Sequence, residues 1–238
     1  MLDYLGFKNP EKYFEMEKYR AFIGCFTFNN NILNQFRLYG KENGKEVSGA
    51  SIMVKNSFFS DNLCAPFKND RSNTNKLSLF RCVYISDNRI VSIAKRKNSS
   101  FFSFKENEEY ESYIDSILQQ VKIEMENLKI EIQYSGLEDE IICGLLINLR
   151  YLFKSTEYEE EQECRILRIE KLEESNKNII SVRDGGKRKS YVDYINMGRN
   201  TDEICLSLDD NYMSFIDELK NRGLEHIKVT KYVNNHKS

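Results

Sequence analysis

An apolar stripe between residues 107 and 133 constrains the fold of this chain more than any other feature of its sequence. Its apolar residues recur at steps of three and four: Tyr110, Tyr113, Ile114, Ile117, Leu118, Val121, Met125 and Leu128. Such steps place side chains on one face of an α-helix, so the segment predicts a long amphipathic helix. A stripe of this length has to be covered by the protein's own core, by a partner protein or by a second copy of the chain.

Segments rich in strand-forming residues lie on both sides of this helix. They are 20–28, the second half of 42–54, 77–86, 89–95, 163–172, 191–195, 203–208 and 226–233. Shorter helices are predicted at 32–40, 138–151 and 211–224, and a polar, basic turn at 181–190. Because these segments do not alternate in regular βαβ units, they predict an α+β fold with a mixed, mainly antiparallel sheet. A length of 238 residues with 40% hydrophobic content suits one domain over 1–238.

The charged and metal-binding residue types exclude several classes of site. Lys and Arg number 35 against 37 Asp and Glu, so no overall field draws the chain to nucleic acid or to an anionic membrane. The six cysteines are scattered, and the two histidines lie near the C-terminus, so we expect no metal site. The N-terminus is too charged for a signal peptide, and no apolar run approaches the roughly 18–20 residues that span a bilayer. We therefore expect a cytoplasmic protein.

The segment EQECRIL at 161–167 places charged residues where a strand enters the core. If 161–169 is extended, its period of two puts Glu161, Glu163 and Arg165 on the face that carries Leu167 and Ile169. Two carboxylates buried there without a cation would be costly, so an adjacent arginine is physically reasonable. One interpretation is a structural ion pair. The other is a carboxylate pair in a cleft, in which one acid orients a sugar hydroxyl and the other stabilises an oxocarbenium ion.

Three segments resemble a bacterial family known as domain of unknown function twenty-nine seventy-one. Residues 25–49, CFTFNNNILNQFRLYGKENGKEVSG, are similar to its central signature, although Phe36 stands where Trp is more usual. Residues 149–167, LRYLFKSTEYEEEQECRIL, resemble its second signature, a Lys followed by an acidic Glu-x-Glu-x-Arg strand. Residues 191–233 resemble its closing strand-helix-strand segment. The likeness covers most of 20–233.

The Glu-x-Glu strand of that family is in turn similar to the acidic motif of ADP-ribosyltransferases. This resemblance implies an ADP-ribosyltransferase-like fold in which NAD is the substrate and a protein or nucleic acid is the acceptor. It implies catalytic roles for Glu163, for its partner Glu161 and for Arg165. The residues that it implies for NAD binding are Thr27, Gln35, Arg37 and Tyr39, with Arg20 as another basic residue for anchoring NAD. A toxin or effector in stress or phage defence is the corresponding role.

Two other functions are compatible with the sequence. A non-catalytic interaction module would use the helix at 107–133 to bind a partner protein or a second copy. A nuclease-like or nucleotide-binding domain would use the acidic cluster to hold Mg²⁺, and it would need a second, separately spaced set of carboxylates.

Overall fold

The computed structural model of the chain describes residues 1, 3–7, 19–28, 41–42, 45–46, 50–59, 77–87, 89–96, 103–171, 179–184, 187–191, 201–206 and 212–231. Its contacts divide into two compact units. The first comprises Met1–Asn29, Cys64–Arg71 and Leu77–Asp193, and the second comprises Asn30–Leu63, Ser72–Lys76 and Tyr194–Ser238. The expectation of one domain over 1–238 stays a prediction.

The helices and strands follow one another along the chain in a mixed order. They are β1 Tyr19–Thr27, β2 Lys41–Glu42, β3 Lys45–Glu46, β4 Ala50–Val54, β5 Phe80–Arg81, β6 Val83–Ser86, β7 Arg89–Ile93, α1 Phe104–Tyr134, α2 Asp139–Leu145, α3 Ile147–Arg150, β8 Phe153–Ser155, β9 Glu163–Lys171, β10 Ile180–Asp184, β11 Lys187–Tyr191, β12 Thr201–Leu206, α4 Tyr212–Asn221 and β13 Lys228–Lys231. Short 3₁₀ helices occupy Asn56–Phe58 and Thr156–Glu161.

Antiparallel pairing dominates the strands of the first unit. β9 lies between β1 and β5, β6 lies between β7 and β8, and β10 pairs with β11. The β6–β8 pair is parallel. β1 and β9 pair along their full length, from Tyr19 opposite Lys171 to Thr27 opposite Glu163. This arrangement confirms the predicted α+β fold with a mixed, mainly antiparallel sheet.

The close packing of β1 against β9 depends on a glycine. A Cβ atom added to Gly24 would lie 2.8 Å from Cγ1 and 3.0 Å from Cδ1 of Ile166, which is buried on β9. We expect Gly24→Ala to lower the free energy of unfolding by about 1–3 kcal/mol, because Ile166 or the strand must shift. Urea denaturation measures the change.

A matched control for this substitution lies in helix α2. Gly144→Ala adds a Cβ that meets no atom within 4 Å. It should leave stability unchanged or raise it by up to about 1 kcal/mol, because alanine favours the helix. Equal losses in the two variants would contradict the packing argument.

Helix α1 confirms the long amphipathic helix predicted over 107–133. It begins with a capping box in which the Ser103 and Glu106 side chains each bond to the other residue's backbone N–H. Ile114 and Met125 are buried, and Met125 joins a core cluster with residues of the N-terminal segment, β6, β7, α2 and Leu146: Tyr4, Leu5, Phe7, Val83, Ile90, Ile142, Cys143 and Leu146. Tyr113 is the exception to the predicted stripe, because its side chain is exposed.

A second apolar cluster supports the start of β9. Cys82, Tyr84, Ala94 and Cys164 have no exposed surface, and Phe26, Phe28 and Leu79 pack against them. The start of β9, where its charged residues begin, therefore packs tightly against side chains from β1, from β6 and from the residues that flank β5. These buried cysteines behave as small apolar side chains.

The second unit contains a three-stranded sheet and one described α-helix. β12 lies between β4, with which it is antiparallel, and β13, with which it is parallel. Ile204, Leu219 and Ile227 form the core between this sheet and α4. The strands predicted at 203–208 and 226–233 and the helix predicted at 211–224 are confirmed within the described residues.

Two predicted elements take a different form in the structure, and two others lie wholly or largely outside the described residues. The single helix expected at 138–151 is two helices, Asp139–Leu145 and Ile147–Arg150, and Leu146 between them lies at the edge of the helical region with φ −85 and ψ −1. The turn expected at 181–190 is the β10–β11 hairpin, whose strands flank the glycines at 185–186. The helix expected at 32–40 falls outside the described residues, and so does the strand expected at 191–195 apart from Tyr191, which ends β11. Among the described helices, none combines the length and the apolar composition that a membrane crossing requires.

Candidate functional site

Strand β9 begins at Glu163, so the prediction that Glu161 lies on the same strand as Glu163 and Arg165 is wrong. Glu161 ends the 3₁₀ helix Thr156–Glu161 instead of extending the strand. The reason is Gln162, which has the left-handed backbone conformation φ 45, ψ 49. A left-handed residue interrupts the period of two, so Glu161 reaches the strand's charged residues from a different direction.

The unusual conformation of Gln162 is fixed by hydrogen bonds. Its buried side-chain oxygen accepts from the Lys95 N–H at 2.6 Å, and its Nε2 donates to the Glu159 carbonyl at 2.6 Å. Its own carbonyl accepts from the Phe28 N–H at 3.1 Å. A left-handed non-glycine residue costs on the order of 1–2 kcal/mol, so these bonds offset that cost. They also hold Glu161 and Glu163 in a defined relative position.

Glu163 is the most enclosed charged residue of the site, with 5% of its surface exposed. Its Oε1 accepts from Arg165 Nε at 2.6 Å, and its Oε2 accepts from Arg165 Nη2 at 3.1 Å and from Lys154 Nζ at 2.6 Å. Its backbone N–H donates to the Tyr84 hydroxyl at 2.9 Å. The predicted contact between Arg165 and a carboxylate on the same strand face is therefore confirmed.

Lys154 on β8 joins the two glutamates. Its Nζ lies 2.6 Å from Oε2 of Glu161 and 2.6 Å from Oε2 of Glu163. The ring of Tyr158 lies 4.7 Å from the same ammonium. Glu161, Glu163, Lys154 and Arg165 together form what we call the Glu163 cluster, in which two carboxylates balance two cations.

Arg165 is held from more than one side. Its Nη1 donates to the Tyr151 carbonyl, while its Nε and Nη2 contact Glu163. In the sheet it lies between Cys25 of β1 and Phe80 of β5. A guanidinium fixed in this way holds the Glu163 carboxylate in one orientation.

The electrostatics of the cluster keep Glu163 charged. Burial acts to raise the pKa of Glu163, but hydrogen bonds from Arg165, Cys25 and Lys154 outweigh it and bring the pKa to about 2. Burial acts to lower the pKa values of Lys154 and Arg165, and their bonds to the glutamates raise both instead. Cys25 as a residue is exposed, but partial burial of its thiol and the hydrogen bond to Glu163 raise the pKa of that thiol to about 11. Glu163 is thus ionised and Cys25 is a neutral thiol at physiological pH.

The depressed pKa of Glu163 makes stability depend on pH in the acidic range. Because the pKa falls from 4.5 to about 2 on folding, the ionised form stabilises the fold above about pH 4.5, and this contribution is lost as the pH falls towards 2. Between about pH 4.5 and pH 2, the free energy of unfolding should fall more steeply in the wild type than in Glu163→Gln. The two slopes should differ by at most roughly 1.4 kcal/mol per pH unit. Urea denaturation over this pH range measures both slopes, and parallel curves would contradict the assignment.

Strand β1 brings two further polar side chains to the cluster. Thr27 lies opposite Glu163 in the sheet, and its Oγ1 donates to the Glu161 carbonyl at 2.6 Å. Cys25 lies opposite Arg165, and both Thr27 and Cys25 are exposed. Of the residues predicted for NAD binding, Thr27 is therefore next to the cluster. Gln35, Arg37 and Tyr39 lie outside the described residues.

Several residues of the site carried no predicted role. Lys154, Cys25 and Tyr84 all contact Glu163, yet each belongs to a different strand. Lys154 does stand in the sequence segment that resembles the family's second signature, and that lysine is the one signal that could have identified it. Arg20, the other basic residue considered for anchoring NAD, lies at the opposite end of β1 and donates to Ser190 Oγ at 3.2 Å.

Among the described residues, no group of three or more His, Cys, Asp or Glu side chains is placed to hold a metal ion. The acidic residues of the Glu163 cluster are instead bonded to Lys154 and Arg165.

No family model, no curated protein and no solved structure matches this chain. A functional assignment therefore depends on the chemistry of the Glu163 cluster and on the sequence resemblance of its Glu-x-Glu segment.

Proposed function

We propose that the chain is an NAD-dependent ADP-ribosyltransferase-like enzyme whose active site is the Glu163 cluster. The observation that carries the proposal is the buried Glu163 carboxylate, held in one orientation by Arg165 and Lys154 and accompanied by Glu161. The neighbouring strand adds the exposed Thr27 hydroxyl beside this pair. The resemblance of residues 149–167 to an acidic Glu-x-Glu-x-Arg signature supports the same assignment.

The proposed reaction needs a fixed negative charge. When the glycosidic C1′–N bond of NAD breaks, its electron pair moves to the nicotinamide nitrogen, and positive charge develops on the ribose. A preorganised carboxylate stabilises that charge best where water is excluded, and Glu163 is both buried and ionised. The acceptor then forms a bond to C1′ and gives up a proton.

The two glutamates have different surroundings and so suit different roles. The Glu161 side chain is 15% exposed and the Glu163 side chain 6% exposed. Glu161 is thus the more accessible of the two for a hydrogen bond from a ribose hydroxyl. Glu163 is the better placed to act by its charge, because the low dielectric of a buried site strengthens charge interactions.

Label transfer tests this proposal and identifies the acceptor. Purified chain is incubated with NAD labelled in its adenylate half, together with separate protein, RNA and DNA fractions of a cell lysate. The proposal predicts that one fraction becomes labelled and that free nicotinamide appears in the same amount. Absence of label and of nicotinamide with all three fractions would contradict it.

A second function is favoured by a specific surface of helix α1. Ile123, Ile130 and Tyr134 project from one face of the helix, and 83% of Tyr134 is exposed. Glu124, Glu126 and Glu131 are exposed beside them. These three apolar residues form an exposed stripe, distinct from the one packed on the core, and the glutamates give it an acidic rim. A second copy would bring like charges together at the rim. We therefore propose, as the alternative to catalysis, a partner helix with an apolar stripe flanked by Lys or Arg.

Two synthetic amphipathic helices test this alternative. They share one leucine stripe, and their flanking residues are all Lys in one peptide and all Glu in the other. The Lys peptide should bind in a fluorescence anisotropy titration and weaken with salt, and Ile130→Glu should abolish binding. The matched control is Ser116→Glu. Ser116 is exposed on the same side of the helix, seven residues before Ile123 and so beyond the end of the exposed stripe. Equal binding of both peptides, or binding that survives Ile130→Glu, would contradict the alternative.

A further inference from the structure

Lys154 makes the contact that brings the two glutamates of the cluster together. Its Nζ lies 2.6 Å from an oxygen of each, so these two oxygens are no more than about 5 Å apart. Two carboxylates at that separation repel each other unless a cation lies between them. Arg165, in contrast, directs its donors to Glu163 and to the Tyr151 carbonyl.

The position of Lys154 is defined by the fold. β8 pairs in parallel with β6, and Lys154 lies opposite Tyr84, whose hydroxyl accepts the Glu163 N–H. The Lys154 side chain is 17% exposed, and the Tyr158 ring packs against its ammonium. Lysine is strongly hydrated when free, so an ammonium held this deeply needs both glutamates as compensation.

We propose that Lys154 is a positioning residue of this active site, whose ammonium keeps the Glu161 and Glu163 carboxylates side by side. This role rests on the proposed function, because it prepares the carboxylates for the NAD reaction. The titratable and charged groups around Glu163 come from each element packed against it: Lys154 of β8, Glu161 of the 3₁₀ helix, Arg165 and Cys164 of β9, Cys25 of β1, Tyr84 of β6, and Cys82 between β5 and β6.

A carboxyl titration tests the role without requiring activity. The full chain is labelled with glutamate carrying ¹³C at its carboxyl carbon, and the Glu163 signal is identified as the one missing from Glu163→Gln. We expect Lys154→Met to raise the titration midpoint of Glu163 by about one pH unit or more, because Glu161 is then an uncompensated neighbour. Lys154→Arg should keep the midpoint near the wild-type value.

The same variants give a second readout in NAD turnover. Near neutral pH, where Glu163 is ionised, nicotinamide release by Lys154→Met should fall in kcat more than KM rises, because the two carboxylates are no longer held in place, and Lys154→Arg should restore kcat. If Lys154→Met does not fold, Lys154→Gln removes the charge while keeping a polar side chain.

The outcomes separate this role from the proposed function. An unchanged Glu163 midpoint in Lys154→Met or Lys154→Gln would overturn the positioning role, whatever the activity. A raised midpoint in a chain whose wild type releases no nicotinamide would support the effect of Lys154 on Glu163 and overturn the proposed function.

Discussion

Glu163→Gln is expected to reduce nicotinamide release from NAD by about a hundredfold or more, which corresponds to about 2.7 kcal/mol of transition-state stabilisation. The substitution keeps the size of the side chain and removes the negative charge that would face the ribosyl cation. Its amide oxygen can still accept a hydrogen bond, but its NH₂ group cannot pair with Lys154 or Arg165. Initial rates at saturating NAD measure the effect on kcat.

Stability alone does not separate catalysis from a structural role for Glu163. Its carboxylate bonds to two largely buried cations, so Glu163→Gln should lower stability under either interpretation. The rate of nicotinamide release separates the catalytic role of Glu163 from the structural one.

The matched control for Glu163→Gln is Glu170→Gln, on the same strand. Glu170 accepts from Arg168 at 2.5 Å, two residues away, in an ion pair of similar burial. Loss of activity in Glu163→Gln but not in Glu170→Gln supports a catalytic carboxylate, and equal loss in the two variants would contradict it.

Arg165→Met is expected to lower the free energy of unfolding by about 3–5 kcal/mol, because it leaves Glu163 buried with one cation instead of two. The substitution also removes the hydrogen bond to the Tyr151 carbonyl. Methionine fills a similar volume, so the loss reports the charge and hydrogen bonds more than a cavity. Chemical denaturation near neutral pH measures it.

Arg168→Met provides the comparison for Arg165→Met. Arg168 bonds to Glu170 through its Nε, whereas Arg165 uses three nitrogen atoms on two partners. We expect Arg168→Met to lower the free energy of unfolding by clearly less than Arg165→Met does. A loss in Arg165→Met no larger than in Arg168→Met would mean that the Glu163 cluster does not hold the start of β9.

The sequence predicts the parts of this fold that local periodicity determines. Helix α1 was predictable because steps of three and four continue over many residues, β1 because apolar and strand-forming residues dominate it, and β9 because Ile166, Leu167 and Ile169 follow its charged start. The bond between Arg165 and Glu163 was predictable because residues two apart on a strand share a face.

The rest of the site depends on contacts between residues that are distant in sequence or on local backbone geometry. Gln162 is left-handed because hydrogen bonds from Lys95 and to Glu159 fix it, and nothing in the residue type specifies that conformation. Lys154 reaches Glu163 because β8 pairs with β6, and Cys25 reaches it because β1 pairs with β9 in one particular register. Periodicity does not determine which strands become neighbours.

Nicotinamide release by the wild-type chain tests most directly whether the Glu163 cluster acts on NAD. The chain is incubated with NAD alone and with the protein, RNA and DNA fractions of a lysate, and nicotinamide is quantified by chromatography. The proposed function predicts release that rises with enzyme concentration, falls about a hundredfold in Glu163→Gln and persists in Glu170→Gln. A folded wild type that releases no nicotinamide under any of these conditions would contradict it, and would leave the cluster as a structural ion-pair network.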